Sequence, residues 1–153
     1  MLPHCFRLCS VGLAAILLLA AGTGKAEDWK LDGRYENEFH GMNSSGTHSH
    51  YEVSRFHIRG NRATYRMTDN GDLIGGIESL EVDDQGTRIL LRFKSCVKPD
   101  GGGVEQPCTY TRNPGEIVYI LERCRGDGAR CLIGRDRLDD GVVFRRVRRF
   151  IEY

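Results

Sequence analysis

The dipeptide Gly60-Asn61 sits between two runs that mirror one another, and this symmetry constrains the fold more than any other feature of the chain. A two-residue Gly-Asn turn between alternating runs is a hairpin signature. Folding about it sets Arg59 against Arg62, Ile58 against Ala63, His57 against Thr64 and Phe56 against Tyr65. One face of the ribbon then carries Phe56, Ile58, Ala63, Tyr65 and Met67. The other carries Arg55, His57, Thr64 and Arg66. One dry face and one wet face are what a half-buried antiparallel pair requires. A one-residue slip would destroy that segregation, so the pattern predicts register as well as pairing.

Other turn signals repeat the theme. Asp127-Gly128 forms a second two-residue turn and places Cys124 opposite Cys131. A turn around Asp83-Asp84-Gln85-Gly86 joins a run containing Leu80 and Val82 to one containing Ile89, Leu91 and Phe93. A first strand is expected over 34–40, short pairing over 108–112, and further runs over 116–125, 130–137 and 142–150. That makes eight or nine closely spaced strands with no long helix. The expected fold is all-β, a small antiparallel up-and-down β-barrel, with a β-sandwich as the alternative. An eight-stranded barrel either fills with side chains or holds one small ligand. The 153 residues show no internal repeat and no linker, so one domain is expected.

The first segment reads as an address. Residues 1–7 carry Arg7 and no acid, residues 8–21 are apolar, and A-G-T-G-K-A precedes Glu27-Asp28. This is the order of a secretory signal peptide over 1–26. Cleavage after Ala26 fits a small-x-small site, and cleavage after Gly22 is the rival. The apolar core is shorter than the ~20 residues that span a bilayer. Residues 27–153 remain as a single β-rich domain, expected to be secreted or periplasmic. The skew of 18 Arg to 4 Lys hints at a GC-rich bacterial genome.

Cleavage removes Cys5 and Cys9 and leaves Cys96, Cys108, Cys124 and Cys131. An even count in an exported chain reads as two disulfides. The hairpin register pairs Cys124 with Cys131, and elimination pairs Cys96 with Cys108. Each bridge is worth ~2–4 kcal/mol, mostly through the unfolded chain. Loss of Arg7 and Lys25, with no acid lost, takes the net charge from +1 to −1. No global basic field therefore argues for nucleic acid, and export makes it the least expected partner.

Trp29, Leu31, Gly33 and Tyr35 stand near the first strand, and Phe144-Arg145-Arg146-Val147 near the last. An aromatic after a glycine on strand one, with a basic residue late in the chain, resembles the lipocalin and avidin-like (calycin) barrels. Tyr35 stands where that family has a Trp. The resemblance implies a barrel that binds a small apolar ligand or a protein partner, and no ligand residue carries over.

Three groups are candidates for binding chemistry. His48-Ser49-His50 places two imidazoles on one face of an extended segment, and His40 and Met42 join them if the loop over 42–49 folds back. Imidazole with thioether suits copper, and imidazole alone suits zinc; surface histidines on a polar loop are the plainer alternative. His57, between Arg55 and Arg66 on the wet face, is the weakest member. Arg125-Gly126-Asp127, inside C-R-G-D-G-A-R-C, resembles disulfide-braced RGD loops that engage integrins, although a turn selects Gly and Asp on backbone grounds alone. Arg145, Arg146, Arg148 and Arg149 present a basic stretch suited to an anionic envelope surface. The segment fits a closing strand or a short helix that sets Phe144 and Val147 opposite the arginines.

Catalytic motifs are wanting. Ser95-Cys96-Val97-Lys98 matches an S-x-x-K pattern, but the enzymes that use it need far more chain. The leading expectation is an exported, non-enzymatic binding module engaging a protein, as an inhibitor does, or a small apolar ligand. The alternatives are a periplasmic copper- or zinc-binding protein and an RGD-type adhesive protein. On a rigid barrel the loops carry function, which directs attention to 42–49, 97–107 and 125–130.

Overall fold

A computed structural model describes residues 29–42, 45–46, 49–100, 102–109, 112–125, 130–137 and 139–148. Nine strands run in order: β1 (Gly33–Met42), β2 (Ser49–Arg59), β3 (Arg62–Asp69), β4 (Asp72–Gln85), β5 (Arg88–Pro99), β6 (Glu105–Pro107), β7 (Ile117–Arg123), β8 (Cys131–Gly134) and β9 (Val143–Val147). All neighbours are antiparallel. Eight strands close in the order β1-β2-β3-β4-β5-β7-β8-β9, with β9 returning to β1, and β6 adds to the edge of β5. The architecture is an up-and-down barrel, and the sandwich alternative is set aside by the β1–β9 closure.

The hairpin about 60–61 has the predicted register, from Arg59↔Arg62 through Phe56↔Tyr65. A further two-residue turn, Asn70-Gly71, joins β3 to β4. Asn70 has φ 48° and Gly71 φ 93°, the left-handed pair that a type I′ hairpin turn demands. The turn expected around Asp83 to Gly86 falls at Gly86-Thr87, since Gln85 pairs with Arg88. Both disulfides form as expected, Cys96–Cys108 and Cys124–Cys131.

Three expectations are corrected. Pairing expected over 108–112 occurs over Glu105–Pro107, because the Cys108 amide bonds to Cys96 O at 3.1 Å and the bridge ends the ladder there. The run over 130–137 stops at Gly134, because the chain folds back over it. A Cβ on Gly134 would overlap the Asp139 carbonyl. Arg55, assigned to the wet face, is 6% exposed, because its Nε donates to Glu36 Oε2 at 2.5 Å across the β1–β2 ladder.

The lumen is filled. Tyr35, Phe56, Ile58, Leu80, Ile89, Leu91, Leu121, Leu132 and Phe144 are fully buried. Phe56 is the hub, with ring centroids 4.7 Å from Tyr65, 5.2 Å from Tyr119 and 4.9 Å from Phe144. One end of the barrel is plugged by the segment before β1. Tyr35 Oη donates to Leu31 O at 2.6 Å, and the Trp29 ring lies 6.2 Å from that of Tyr35. Arg123 covers Trp29, 5.3 Å from its ring centre, and holds Asp84 through two hydrogen bonds of 2.7 and 2.6 Å. Burial pushes the Tyr35 phenol up to about 12.

Candidate functional site

The opposite end is the rim formed by the end of β1, the start of β2, the Asn70-Gly71 turn, the β5–β6 arm and the start of β7. Among the described residues the large exposed hydrophobics are Phe39, Met42, Ile74, Val104 and Ile117, and all stand at this end. They come from four separate parts of the chain. Scattered exposed apolar residues are ordinary, but a gathering at one end of a molecule marks an interaction surface.

The rim is held rigid by specific contacts. Phe39 lies on the inward-facing side of β1, opposite Glu52, and its ring meets the His50 edge at 6.5 Å. His50 Nε2 is 2.7 Å from Glu52 Oε1, and its Nδ1 is 3.0 Å from Asp69 Oδ1, an ion-pair distance without hydrogen-bond alignment. The Asn70-Gly71 turn is tied to β2 in both directions. Tyr51 N donates to Asn70 Oδ1 at 3.2 Å, and Asn70 N donates to Tyr51 O at 2.8 Å.

Asp100 builds the β5–β6 loop. Its Oδ1 accepts from Gly102 N at 3.0 Å and Val104 N at 2.7 Å, and its carbonyl accepts from Gly103 N at 3.0 Å. An aspartate that binds successive backbone amides makes a compact turn from an otherwise floppy glycine run. The turn projects Val104, 60% exposed, and Cys96–Cys108 clamps its base.

Beneath the rim lies a buried polar layer. Tyr119 Oη donates to Glu78 Oε2 at 2.9 Å, and Arg112 Nε stands 3.6 Å from Glu78 Oε1. The Arg112 guanidinium also lies 5.8 Å from the Tyr119 ring centre. Tyr65 Oη is 3.2 Å from Ser54 Oγ. Burial pushes the Tyr65 phenol up to about 12 and raises that of Tyr119 as well, helped by Tyr65 and Glu78. Asp139 is raised by burial and by Asp136. Both phenols therefore stay neutral and act as hydrogen-bonding caps on the core.

The residues singled out in the sequence are distributed as follows. His40 and Met42 lie on the outer face of β1, with His40 against Tyr51 at 4.4 Å between ring centres. His50 pairs with Gly41 and therefore faces the other way, so the structure does not bring it together with His40 and Met42. His48 lies outside the described residues. No group of three or more His, Cys, Asp or Glu side chains among the described residues is arranged to hold a metal ion. Arg125 is exposed beside the Cys124–Cys131 bridge, whereas Gly126 and Asp127 lie outside the described residues. Arg145 and Arg148 are exposed, Arg146 Nη2 donates to Asp32 O at 2.5 Å, and Arg149 lies outside the described residues.

Sequence reasoning missed Phe39, Ile74, Val104 and Ile117 as a group. The Asn70-Gly71 signal, which brings β4 back beside β3, was there to find. Compared with protein-family models, curated proteins and solved structures, the chain matches none.

Proposed function

We propose that the chain is an exported, non-enzymatic binding module that engages a protein partner through the rim. The observation that carries this reading is the gathering of the exposed large hydrophobics on the rim of a barrel whose lumen is already filled. A packed interior favours surface recognition over enclosure of a small apolar ligand. The rim also has the make-up of a contact surface, with apolar projections among polar residues on a braced scaffold that loses little entropy on binding. Two disulfides are consistent with an oxidising, extracytoplasmic setting. Secretion or a periplasmic location and an inhibitor-like role complete the reading. A calycin-like kinship is supported by the closed end, where Arg146 reaches Asp32 beside Gly33 and Arg123 covers Trp29.

The test places a photo-reactive side chain at Phe39, Val104 or Arg62 and irradiates the protein in its native compartment. A discrete protein adduct from Phe39 and Val104 but not from Arg62 is the expected result. Adducts of equal yield from all three positions would overturn the rim reading. Reduction should abolish the Val104 adduct before far-ultraviolet circular dichroism reports loss of β-structure.

A further inference from the structure

The wall of the barrel near its plugged end carries a second surface of different chemistry. Cross-strand partners on one outer row run Val147, Arg34, His57, Thr64, Ser79 and Ser95, from β9 through β5. Two grooves lie along this row. One, of about 740 Å³, is lined by Arg34, Arg59, Arg130, Arg146 and Arg148 around His57. The other, of about 550 Å³, has Thr64, Ser79 and Ser95 flanked by Arg59, Arg62 and Lys94. His57 and Arg59 line both grooves, so the two are adjacent.

The cations here differ from those elsewhere. Arg55, Arg92, Arg112, Arg123 and Arg135 each stand within 4.0 Å of a carboxylate. Among the described residues, Arg59, Arg62, Lys94, Arg130, Arg146 and Arg148 make no such pair. Two acids stand nearby without pairing with them within 4.0 Å. Asp32 Oδ1 is taken up by Gly60 N at 2.8 Å, and Glu81 opposes Arg62 in the ladder without an ion pair. The net charge of the whole chain is +1, so this field is local, not a property of overall composition.

Several cations are held in place. Arg146 lies across Gly33, where a Cβ would stand 2.7 Å from its Nε, and Asp32 O fixes its Nη2. Its Nη1 is buried with no hydrogen-bond partner. Arg59 Nε donates to His57 Nε2 at 3.0 Å, which keeps that ring nitrogen as an acceptor. A guanidinium fork matches phosphate oxygens two at a time, and hydroxyls along a groove floor add further donors.

We propose that this wall binds an extended phosphate polyanion, its charged groups lying between the arginine rims and over the Thr64–Ser79–Ser95 hydroxyls. The ligand is a bare phosphate chain, not a nucleic acid, because among the described residues no Phe, Tyr or Trp lines either groove as a base-stacking platform. It is soluble and not a bilayer, because among the described residues the exposed large hydrophobics stand at the other end of the barrel and none is here to insert.

The test titrates the purified, disulfide-bonded protein calorimetrically with sodium tripolyphosphate at pH 7 and low ionic strength. Saturable binding that weakens with added salt is expected. The Arg34→Gln/Arg59→Gln variant should bind about tenfold or more weakly, and Arg88→Gln/Arg125→Gln, which alters cations outside the grooves, should change affinity less than about twofold. Circular dichroism confirms that each variant is folded. Equal losses in the two variants would overturn the proposal, as would orthophosphate binding as tightly as tripolyphosphate. Retention on phosphatidylglycerol vesicles without tripolyphosphate binding would assign the wall to a membrane surface instead. Tighter binding of an oligothymidylate would assign it to single-stranded nucleic acid. None of these results bears on the rim.

Discussion

Gly76 lies directly beneath Cys108: a Cβ at position 76 would overlap the Cys108 sulfur and stand 2.8 Å from Cys96 Sγ and from Val97 O. The glycine is therefore what lets the bridge cross the inner side of β4. Gly76→Ala should cost about 1–3 kcal/mol in denaturant unfolding, through overpacking. In a Cys96→Ala/Cys108→Ala background the same substitution should cost less, because only Val97 O remains close. Equal costs in both backgrounds would show that the sulfurs are not the obstacle.

Glu36 and Arg55 form an ion pair on the outward face, with each side chain 7% exposed. Arg55→Met should destabilise the protein by about 3–5 kcal/mol, because it leaves a buried carboxylate uncompensated. Glu36→Leu combined with Arg55→Met should recover much of that loss. A double variant no more stable than Arg55→Met in chemical denaturation would contradict the pairing.

The tyrosines set an alkaline limit. The phenols of Tyr35 and Tyr65 are raised from 10.0 to about 12 in the folded protein, chiefly by burial. The unfolded chain therefore releases these protons first, and stability is present below pH 10 and falls as pH rises from there towards 12. Ultraviolet titration should show three of the six tyrosines (Tyr35, Tyr65 and Tyr119) ionising only with unfolding. Simple titration of all six near pH 10, with the fold intact, would refute this.

His57 acts in the acid direction. Burial, and then Arg59 and Arg34, lower its pKa below the ordinary 6.5. The unfolded chain takes up this proton first, so the contribution of His57 to stability is complete above pH 6.5 and is lost as pH falls below it. His57→Gln should flatten that part of the pH–melting-temperature profile. An unchanged slope would place the acid sensitivity elsewhere.

Much of the barrel was legible in the chain because local turn chemistry fixes register. Gly60-Asn61 predicted its pairs residue for residue, and the Cys124–Cys131 bridge read from the Asp127-Gly128 signal is present, although residues 127 and 128 themselves lie outside the described residues. What was illegible depended on contacts distant in sequence. The face on which His50 lies follows from pairing Gly41 with His50 across a ten-pair ladder. The burial of Arg55 needs Glu36 from another strand, and alternation alone assigns it to water. Register shifts at Tyr65/Met67, Ser79/Leu80 and Leu91/Arg92 break the simple period of two. The rim and the arginine wall both gather residues from separate strands, so neither shows as a motif. The basic C-terminal stretch signalled only part of the wall.

The barrel is sealed by three residue pairs, Arg34↔Val147, Tyr35↔Arg146 and Glu36↔Arg145. Among the described residues the last strand in chain order thus locks onto the first. A nascent chain that still lacks Val143–Val147 keeps two bare sheet edges, on β1 and β8, open to pairing with other chains. Closure of the barrel therefore waits on Val143–Val147, and until that strand has paired with β1 the molecule cannot cover its own edges.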